Sequence, residues 1–358
     1  MTLSGSPQKK FWEGKRVLIT GHTGFKGTWL GLWLIRLGAK VSGLALAPEG
    51  EPNLFSTTKL ADQISSHVCD INDSKHVADV LAQCNPEIVF HLAAQSLVLK
   101  GYESPVETFA TNVVGTVSLL SKLRDCSSLR VVVVVTTDKV YRNMEQQLRF
   151  RESDELAGHD PYSASKAACE IAVEAMRKSY FAGKIAISTA RAGNVIGGGD
   201  WAQNRIIPDA VRAWSKDTCL FVRNPQAIRP WQHVIEPLAG YLVLAEKMYF
   251  DANLARAFNF GPKDQEPASV RTVVELARSC FGKGNVEFGP GNAGPHEAGV
   301  LMLDSGLAER ELGFVPRWGI GKAVQRTMTW YSGYESGLDP ASLCLTDIAE
   351  YEISDAVV

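Results

Sequence analysis

The stretch Arg16–Gly27, which reads RVLITGHTGFKG, decides the fold. Its first five residues are mostly apolar and β-branched, which is typical of a buried strand. Glycines follow at positions 21, 24 and 27, and a helical pattern rich in Trp and Leu begins at Phe25. A strand, a glycine-rich turn and a helix in this order can cradle a pyrophosphate at the N-terminus of the helix. The stretch therefore predicts a dinucleotide-binding α/β unit.

The alternation of strands and helices continues along the chain. Further strand patterns lie at 40–46, 88–92, 130–136 and 185–190, and helical patterns at 25–37, 75–83, 106–123 and 162–180. A later helix is predicted at 270–281, with Ser269 as its N-cap and Gly282 after its end. Near-continuous apolar strands suit a parallel sheet that is covered on both faces. We predict an α/β fold, a doubly wound parallel sheet of the Rossmann type, with a smaller mixed α/β substrate domain.

The texture of the sequence changes after Gly193, where three glycines at 197–199 and proline-punctuated segments follow. We expect residues 1–193 to form the dinucleotide-binding domain, with a segment near 230–260 returning to it. Residues 194–335 are expected to form most of the second domain, and residues 336–358 a C-terminal tail.

Composition and charge exclude several classes of protein. The 358 residues include 37 Lys and Arg against 39 Asp and Glu, so the net charge of −2 gives no indication of nucleic-acid or membrane binding. We expect neither a membrane span nor a signal peptide, because the long apolar runs that these need are missing. The seven scattered cysteines are typical of free thiols in a reducing compartment, and the seven histidines lack paired metal-ligand spacing. The sequence therefore predicts a cytoplasmic protein without a metal.

Two features complicate the predicted cofactor site. His22 is bulky at a position where the backbone should lie close to the cofactor. The second strand ends in LALAP, residues 44–48, with no acidic residue to accept a hydrogen bond from a ribose hydroxyl and no basic residue for a 2′-phosphate. We therefore expect weak cofactor binding, with Glu49 or Glu51 as substitute ribose ligands.

Tyr162 and Lys166 stand four residues apart at the start of a predicted helix, so both face the same side. A nearby ammonium favours phenolate over phenol and is expected to lower the pKa of Tyr162 toward neutrality. Such a tyrosine is a general base for the proton of an alcohol.

Together these motifs resemble the short-chain dehydrogenase/reductase family, in its extended branch. The resemblance rests on GHTGFKG at 21–27, Asp70-Ile71, HLAAQ at 91–95 and YSASK at 162–166, and it covers roughly residues 14–330. It implies NAD as the cofactor and Thr137 as the hydroxyl partner of the tyrosine. The residues implied to bind NAD are Gly21, His22, Gly24, Phe25, Lys26, Gly27, Asp70, Ile71, Ala93, Ala94, Thr136, Tyr162 and Lys166.

The segment Thr136–Tyr141, TTDKVY, selects the reaction. An ionisable pair, Asp138 and Lys139, follows Thr137 directly, as an acid and a base do in nucleotide-sugar 4,6-dehydratases, whose usual pattern is Thr-Asp-Glu. Thr-Asp-Lys, with RPWQHV at 229–234 and HEA at 296–298, resembles the subgroup that acts on CDP-glucose. This implies oxidation at C4, loss of water across C5 and C6, and return of hydride to C6.

The resemblance assigns roles to the catalytic residues Thr137, Asp138, Lys139, Tyr162 and Lys166. Tyr162 takes the C4 hydroxyl proton, Thr137 holds that oxygen, and a protonated Asp138 protonates the leaving C6 hydroxyl. Because a lysine is normally charged, Lys139 either loses its proton and removes the C5 proton, directly or through water, or stays charged and stabilises the enolate. We slightly favour the basic role.

The resemblance also points to a nucleotide-sugar pocket. Asn194 is implied to face the sugar phosphates, and two arginines are candidate diphosphate clamps because guanidinium groups match phosphate oxygens. The full set of predicted substrate ligands is Gln95, Tyr102, Asn194, Arg205, Arg229 and His233.

Two alternatives stay open at this point. A nucleotide-sugar 4-epimerase would leave Asp138 and Lys139 idle, and an inert dinucleotide-binding scaffold would not need Tyr162 and Lys166. The resemblance further implies a homodimer or homotetramer, formed through the helices predicted at 106–123 and 162–180. It also suggests a role in making deoxysugars for a cell-surface polysaccharide.

Overall fold

The computed structural model describes residues 5–263, 268–291 and 298–354. Its strands are β1 (Arg16–Thr20), β2 (Lys40–Ala45), β3 (Ser65–Val68), β4 (Ile88–His91), β5 (Val131–Val135), β6 (Ala186–Ala192), β7 (Val195–Ile196), β8 (Cys219–Val222), β9 (Ile228–Arg229), β10 (Gln232–His233), β11 (Ala257–Phe260), β12 (Ala268–Ser269) and β13 (Asn285–Phe288). Seven of them form one parallel sheet in the order β11-β6-β5-β4-β1-β2-β3. This order confirms the predicted doubly wound fold.

The helices that cover the sheet and build the second region are α1 (Lys9–Trp12), α2 (Phe25–Arg36), α3 (Leu54–Thr57), α4 (Ser74–Cys84), α5 (Val98–Glu103), α6 (Pro105–Phe109), α7 (Thr116–Leu123), α8 (Pro161–Met176), α9 (Ile206–Ser215), α10 (Ile235–Phe250), α11 (Val270–Phe281), α12 (Gly306–Leu312), α13 (Ile320–Glu335) and α14 (Pro340–Ile353). Short 3-10 turns lie at Leu60–Asp62, Asp138–Val140 and Ala252–Leu254, and π-helical segments at Ala110–Gly115 and Arg177–Phe181. Within the described ranges, no helix is long and apolar enough to cross a membrane.

The sheet divides the apolar core into two layers. Along β5 the side chains of Val131, Val133 and Val135 belong to the larger cluster, whereas Val132 and Val134 belong to the smaller one on the opposite face. Side chains alternate between the two faces of a strand, so a strand made only of valine must be covered on both. This explains why its sequence contains no polar residue.

The two long helices predicted for residues 106–123 and 162–180 are interrupted. The first is divided into α6, a π-helical segment and α7, and the second changes to π-helical geometry after Met176. The helix predicted at 270–281 is α11, where Ser269 accepts a hydrogen bond from the Thr272 N–H and Gly282 adopts a left-handed conformation.

The segment treated as a tail contains helix α14. Its residues Cys344, Ile348 and Tyr351 are fully buried, and the Tyr351 hydroxyl donates to Oε2 of Glu236 on α10 at 2.7 Å. The apolar residues recur at helical spacing, but acidic residues between them conceal the pattern in the sequence. Residues 235–260 supply α10 and the edge strand β11, which packs on β6. The domain boundaries themselves stay a prediction.

Candidate active site

The predicted chemistry-bearing residues lie at the carboxyl ends of the parallel strands. The strand order reverses between β1 and β4, and crevices of this kind are where doubly wound sheets bind ligands. The glycine turn follows β1, Leu92–Gln95 follow β4, Thr136–Lys139 follow β5 and Asn194 follows β6. The crossovers thus bring distant parts of the chain to one edge of the sheet.

The glycine turn is closely packed. Gly21 has φ of +78°, and a Cβ there would come within 2.7 Å of the Ala93 nitrogen. A Cβ on Gly27 would collide with the Gly21 carbonyl. Helix α2 begins at Phe25 with Gly24 as its N-cap and no side-chain cap. Its first N–H groups are therefore available to an anion, and the turn fits the pyrophosphate of a dinucleotide.

His22 does not obstruct this turn, which corrects the steric argument from the sequence. Its ring is buried, packs edge-on against Phe55 and hydrogen-bonds through Nε2 with the Ser66 hydroxyl at 2.8 Å. A Cβ on Gly43 would overlap the ring, so Gly43 in β2 makes room for it. Burial lowers the pKa of His22 to about 4, so the ring is neutral at physiological pH.

The two glutamates predicted as substitute ribose ligands contact neighbouring side chains. Glu49 pairs with Lys100 across 3.4 Å, and Oε1 of Glu51 accepts a hydrogen bond from Asn53 at 3.1 Å. The weak cofactor binding expected from the sequence stays a prediction.

The catalytic turn, defined as Thr137, Asp138 and Lys139, forms a compact polar group. Asp138 is fully buried, and its Oδ1 accepts hydrogen bonds from the Thr137 hydroxyl and from Lys139 Nζ, both at 3.0 Å. Lys139 Nζ also donates to Oδ1 of Asn194 at 3.2 Å. The second carboxylate oxygen of Asp138, Oδ2, is buried and has no hydrogen-bond partner among the residues that the structure describes. A buried oxygen of this kind is costly unless a ligand supplies its partner.

Tyr162 and Lys166 lie beside the catalytic turn, both on α8 and both largely buried. Lys166 Nζ donates to the Val135 carbonyl at 3.1 Å. Burial raises the pKa of Tyr162 to about 12, although hydrogen bonding with Thr137 opposes the shift. The predicted lowering of this pKa is therefore wrong for the chain alone, because desolvation of the phenolate outweighs the Thr137 hydrogen bond and the charge of Arg205. Burial also lowers the pKa of Lys166.

The side chain of Lys26, which belongs to the glycine turn, lies among the same groups. Its Nζ is 5.9 Å from the centre of the Tyr241 ring. Burial and then the charge of Arg205 lower the pKa of Lys26 to about 7, while Asp138 opposes the shift. The site therefore gathers several cations around a single unsatisfied carboxylate, and such a site favours anionic ligands.

The remaining predicted cofactor residues differ in their environment. Ala93 and Ala94 are half-buried after β4, Asp70 is exposed, and Ile71 is buried against Gly115 in the smaller core cluster. The Thr136 hydroxyl donates to Oε1 of Glu170 inside the protein at 2.5 Å. Ile71 and the Thr136 hydroxyl are thus used within the fold.

Of the predicted substrate ligands, Asn194 and Arg205 lie near the catalytic turn and Tyr162. Arg205 pairs with Asp200 at 2.8 Å and influences the pKa of Tyr162. Gln95 donates to Thr108 and accepts from the Leu97 N–H, so both ends of its amide are engaged. Tyr102 is partly exposed on α5, a helix that packs against α8.

The other two predicted ligands, Arg229 and His233, are held by contacts with other parts of the protein. Arg229 donates to the carbonyls of Ile228 and Gly299. His233 is completely buried between the rings of Trp29 and Trp318, with its Nε2 3.8 Å from Asp347. Burial lowers the pKa of His233 to about 3. This side chain therefore packs rather than contacts a nucleotide. Residues 296 and 297 of the HEA motif lie outside the described residues.

Sequence reasoning missed a buried polar cluster behind the site. Glu170, one turn after Lys166, receives hydrogen bonds from Thr136, Thr189 and Arg191. The signal available in the sequence is a glutamate and an arginine within otherwise apolar helix and strand patterns, since such charges are buried only when paired. The described residues contain no cluster of side chains suited to a metal ion.

Comparison with known proteins identifies the family of the chain. Residues 18–327 match the family model described as GDP-mannose 4,6 dehydratase. The chain is 42% identical over 350 residues to the CDP-glucose 4,6-dehydratase of Salmonella typhimurium, covering 96% of this chain and 98% of that protein.

Solved structures show the same fold at lower identity. The UDP-glucose 4-epimerase of Thermotoga maritima with UDP-glucose has a TM-score of 0.77 at 19% identity, covering 89% of this chain and 99% of that one. The dTDP-glucose 4,6-dehydratase of Bacillus anthracis in complex with NAD has a TM-score of 0.76 at 21% identity, covering 92% and 100%. With the family match over most of its length, the chain belongs to the GDP-mannose 4,6-dehydratase family.

Proposed function

We propose that this chain converts CDP-D-glucose into CDP-4-keto-6-deoxy-D-glucose and water, using NAD catalytically. The observation that carries the proposal is the buried, unpartnered Oδ2 of Asp138, with Lys139 at 3.0 Å from the other oxygen and Tyr162 beside both. A 4-epimerase needs no acid–base pair at this position. The 42% identity to a CDP-glucose 4,6-dehydratase supports both the reaction and the nucleotide.

The glycine turn fits NAD because the close approach of Gly21 and Gly27 to neighbouring backbone leaves no room for side chains. The pyrophosphate would lie against Gly21, Gly24, Phe25 and Gly27 at the start of α2. Ala93, Ala94 and Asp70 would line the rest of the cleft. When bound, NAD supplies a hydride acceptor for C4 of the sugar and later returns that hydride to C6.

Tyr162 would accept the proton of the C4 hydroxyl, and Thr137 would hold the C4 oxygen. Because burial raises the pKa of Tyr162 to about 12, its phenolate depends on nearby positive charge, such as that of Arg205. We assign to Lys166, which is anchored on the Val135 carbonyl, the supply of a further positive charge. The fixed ammonium can therefore stabilise the phenolate without moving.

Asp138 and Lys139 would carry out the elimination. Once C4 is a ketone, the C5–H bond breaks, its proton goes to a base, and its electron pair forms the C5–C6 double bond. The C6–O bond breaks at the same time, and the C6 oxygen takes a proton from Asp138 to leave as water. We assign acceptance of the C5 proton to Lys139, which must first lose its own proton, and its hydrogen bond to Asn194 fixes its direction. If Lys139 stays charged, it would instead stabilise the enolate.

The positive charges near the site would hold the substrate diphosphate. Arg205 lies close enough to influence the pKa of both Tyr162 and Lys26, and Asn194 is held by Lys139. We assign both to the nucleotide sugar. Arg229, on β9, and Tyr102 are further candidates.

The test is to incubate the purified protein with CDP-glucose, with and without added NAD, and to identify the product by mass and proton spectrum. We expect the product to have lost the mass of one water molecule and to show a new methyl signal for C6. An unchanged mass with inverted C4 would instead indicate an epimerase, and the absence of any reaction with CDP-, UDP- and dTDP-glucose would refute the proposal. Dependence on added NAD would support the expected weak cofactor binding.

We also propose that the chain forms a homodimer through α6, its π-helical continuation and α8. Val106, Val114 and Ile171 on these elements are 80%, 61% and 60% exposed. A second copy would cover this apolar face, since such patches are unusual on a monomer. Light scattering should give at least twice the 39.0 kDa of one chain. Val114→Glu should lower the mass, whereas Ile353→Glu on the distant α14 should not.

We further place the enzyme in the cytoplasm, as a step in deoxysugar synthesis for a cell-surface polysaccharide. The seven cysteines are all free, which suits a reducing compartment. Fractionation of cells that express the tagged protein tests the location.

A further inference from the structure

A buried hydrogen-bond network lies directly behind the catalytic turn. We call Glu170, Arg191, Thr136 and Thr189 the Glu170 cluster. Thr136 immediately precedes the turn, and its hydroxyl donates to Glu170 Oε1 at 2.5 Å. Thr189, on β6, donates to the other oxygen, Oε2, at 2.6 Å. Arg191 donates to both oxygens, at 3.0 and 2.9 Å. Every member of the cluster is buried.

The cluster holds the catalytic turn at both of its ends. On one side is the bond between Thr136 and Glu170. On the other, Arg191 donates to the Tyr141 hydroxyl at 2.9 Å, and that hydroxyl donates to Asn259 at 2.6 Å. Tyr141 follows the turn by two residues and is fully packed. The turn is therefore fixed at both ends to buried groups that are not part of it.

Glu170 also belongs to the helix that carries the other half of the catalytic group. It follows Lys166 by one helical turn on α8, and Lys166 donates to the carbonyl of Val135 in β5. Strand β5 and helix α8 are thus joined twice, once through Lys166 and once through Thr136 and Glu170. The second link is the one next to Thr137.

We propose that Thr136 and Glu170 are positioning residues, whose hydrogen bond fixes the catalytic turn relative to Tyr162 and Lys166. The inference rests on the proposed dehydratase function. Tyr162 acts at C4 of the hexose, whereas Asp138 and Lys139 act at C6 and C5, so the two groups must keep one separation through the reaction. Misplacement of reacting groups by about 1 Å can reduce a rate about 100-fold.

The structure offers a matched pair of variants for the test. Thr136→Val and Thr189→Val each remove one hydroxyl donor from the same carboxylate, but only Thr136 adjoins the catalytic turn. For Thr136→Val we expect kcat to fall about tenfold with KM within about twofold. For Thr189→Val we expect kcat within about twofold and a similar change in melting temperature. Thr136→Ser keeps the donor and should restore most of the rate.

The outcomes separate this inference from the proposed function. Equal losses of kcat in both valine variants, or full activity of Thr136→Val, would overturn the positioning role. If the wild-type chain does not convert CDP-glucose, the proposed function fails first, and crystal structures of the two variants then decide the inference. Movement of Asp138 relative to Tyr162 by at least about 0.5 Å in Thr136→Val alone would support it, and unchanged positions would refute it.

Discussion

Two buried carboxylates flank the end of strand β5, and they differ in how completely they are satisfied. Both oxygens of Glu170 are occupied by hydroxyl and guanidinium donors. Within the described part of the chain, Asp138 has two donors on Oδ1 and none on Oδ2. A saturated carboxylate holds the fold together, whereas an unsaturated one retains capacity for a ligand. The comparison distinguishes Glu170, a carboxylate that stabilises the fold, from Asp138, a carboxylate that can act on a ligand.

The largest effect on the reaction rate is expected from substitution of Asp138, the carboxylate with a free oxygen. Asp138→Asn keeps an oxygen for Thr137 and Lys139 but cannot donate a proton to the C6 oxygen. We expect dehydration to slow by about 1,000-fold, within the range typical of general acid catalysis, with little change in melting temperature. Product formation is followed by mass spectrometry, with Asp125→Asn, on the surface, as the control. Retention of more than a tenth of the rate would remove the distinction between the two acids.

Substitutions in the Glu170 cluster should lower the stability of the folded protein. Arg191→Met leaves the Glu170 carboxylate buried without its cation, and breaking buried pairs costs about 3–5 kcal/mol. Arg191→Lys keeps the charge but loses the bidentate geometry, so its cost should lie between those of Arg191→Met and the wild type. Urea unfolding of the three proteins measures this. An Arg191→Met protein as stable as the wild type would mean that the Glu170 cluster does not hold the fold together.

Lys139 is the cation that pairs with Asp138, and its substitution tests how the C5 proton is removed. If Lys139 removes the C5 proton, Lys139→Met should slow exchange of that proton with solvent by about 100-fold, while oxidation at C4 persists. Lys139→Arg distinguishes the two roles, since a guanidinium stabilises an enolate but is a poor base. Deuterium incorporation at C5 is the measurement. Full exchange in Lys139→Met would exclude the basic role, and substantial exchange in Lys139→Arg would favour charge stabilisation.

The chemical side of this comparison was largely predictable from the sequence, and the structural side was not. The glycine turn, the Thr-Asp-Lys turn and the Tyr162–Lys166 spacing are local patterns that report their elements directly. The Glu170 cluster joins residues 34, 19 and 21 positions apart. The direction of His22 depends on Gly43 and Ser66, on neighbouring strands. Packing of this kind is set by the tertiary fold, so no local pattern predicts it.

A third carboxylate, Glu246, is buried against the N-terminal segment, and its substitution is expected to have the smallest effect. Glu246 accepts hydrogen bonds from the Gln8 N–H at 2.7 Å and the Trp12 indole at 2.5 Å, which are both neutral donors. Burial accordingly raises the pKa of Glu246 to about 7, although both bonds oppose the shift. The folded state therefore holds a proton that the unfolded chain releases above pH 4.5, the ordinary value for this group.

This proton makes the contribution of Glu246 to stability fall as the pH rises from about 4.5 to about 7. Glu246→Gln keeps an acceptor oxygen and removes the titration, so its stability relative to wild type should increase across that window. Since the pKa rises from 4.5 to about 7 and one pKa unit corresponds to about 1.4 kcal/mol, we expect a gain of about 2–3 kcal/mol between pH 5 and pH 8, measured from the melting temperatures at these two pH values. Glu13→Gln, at an exposed position, should show no such trend. A difference independent of pH would mean that Glu246 is ionised in the folded protein, and that a carboxylate held by neutral donors behaves like one paired with arginine.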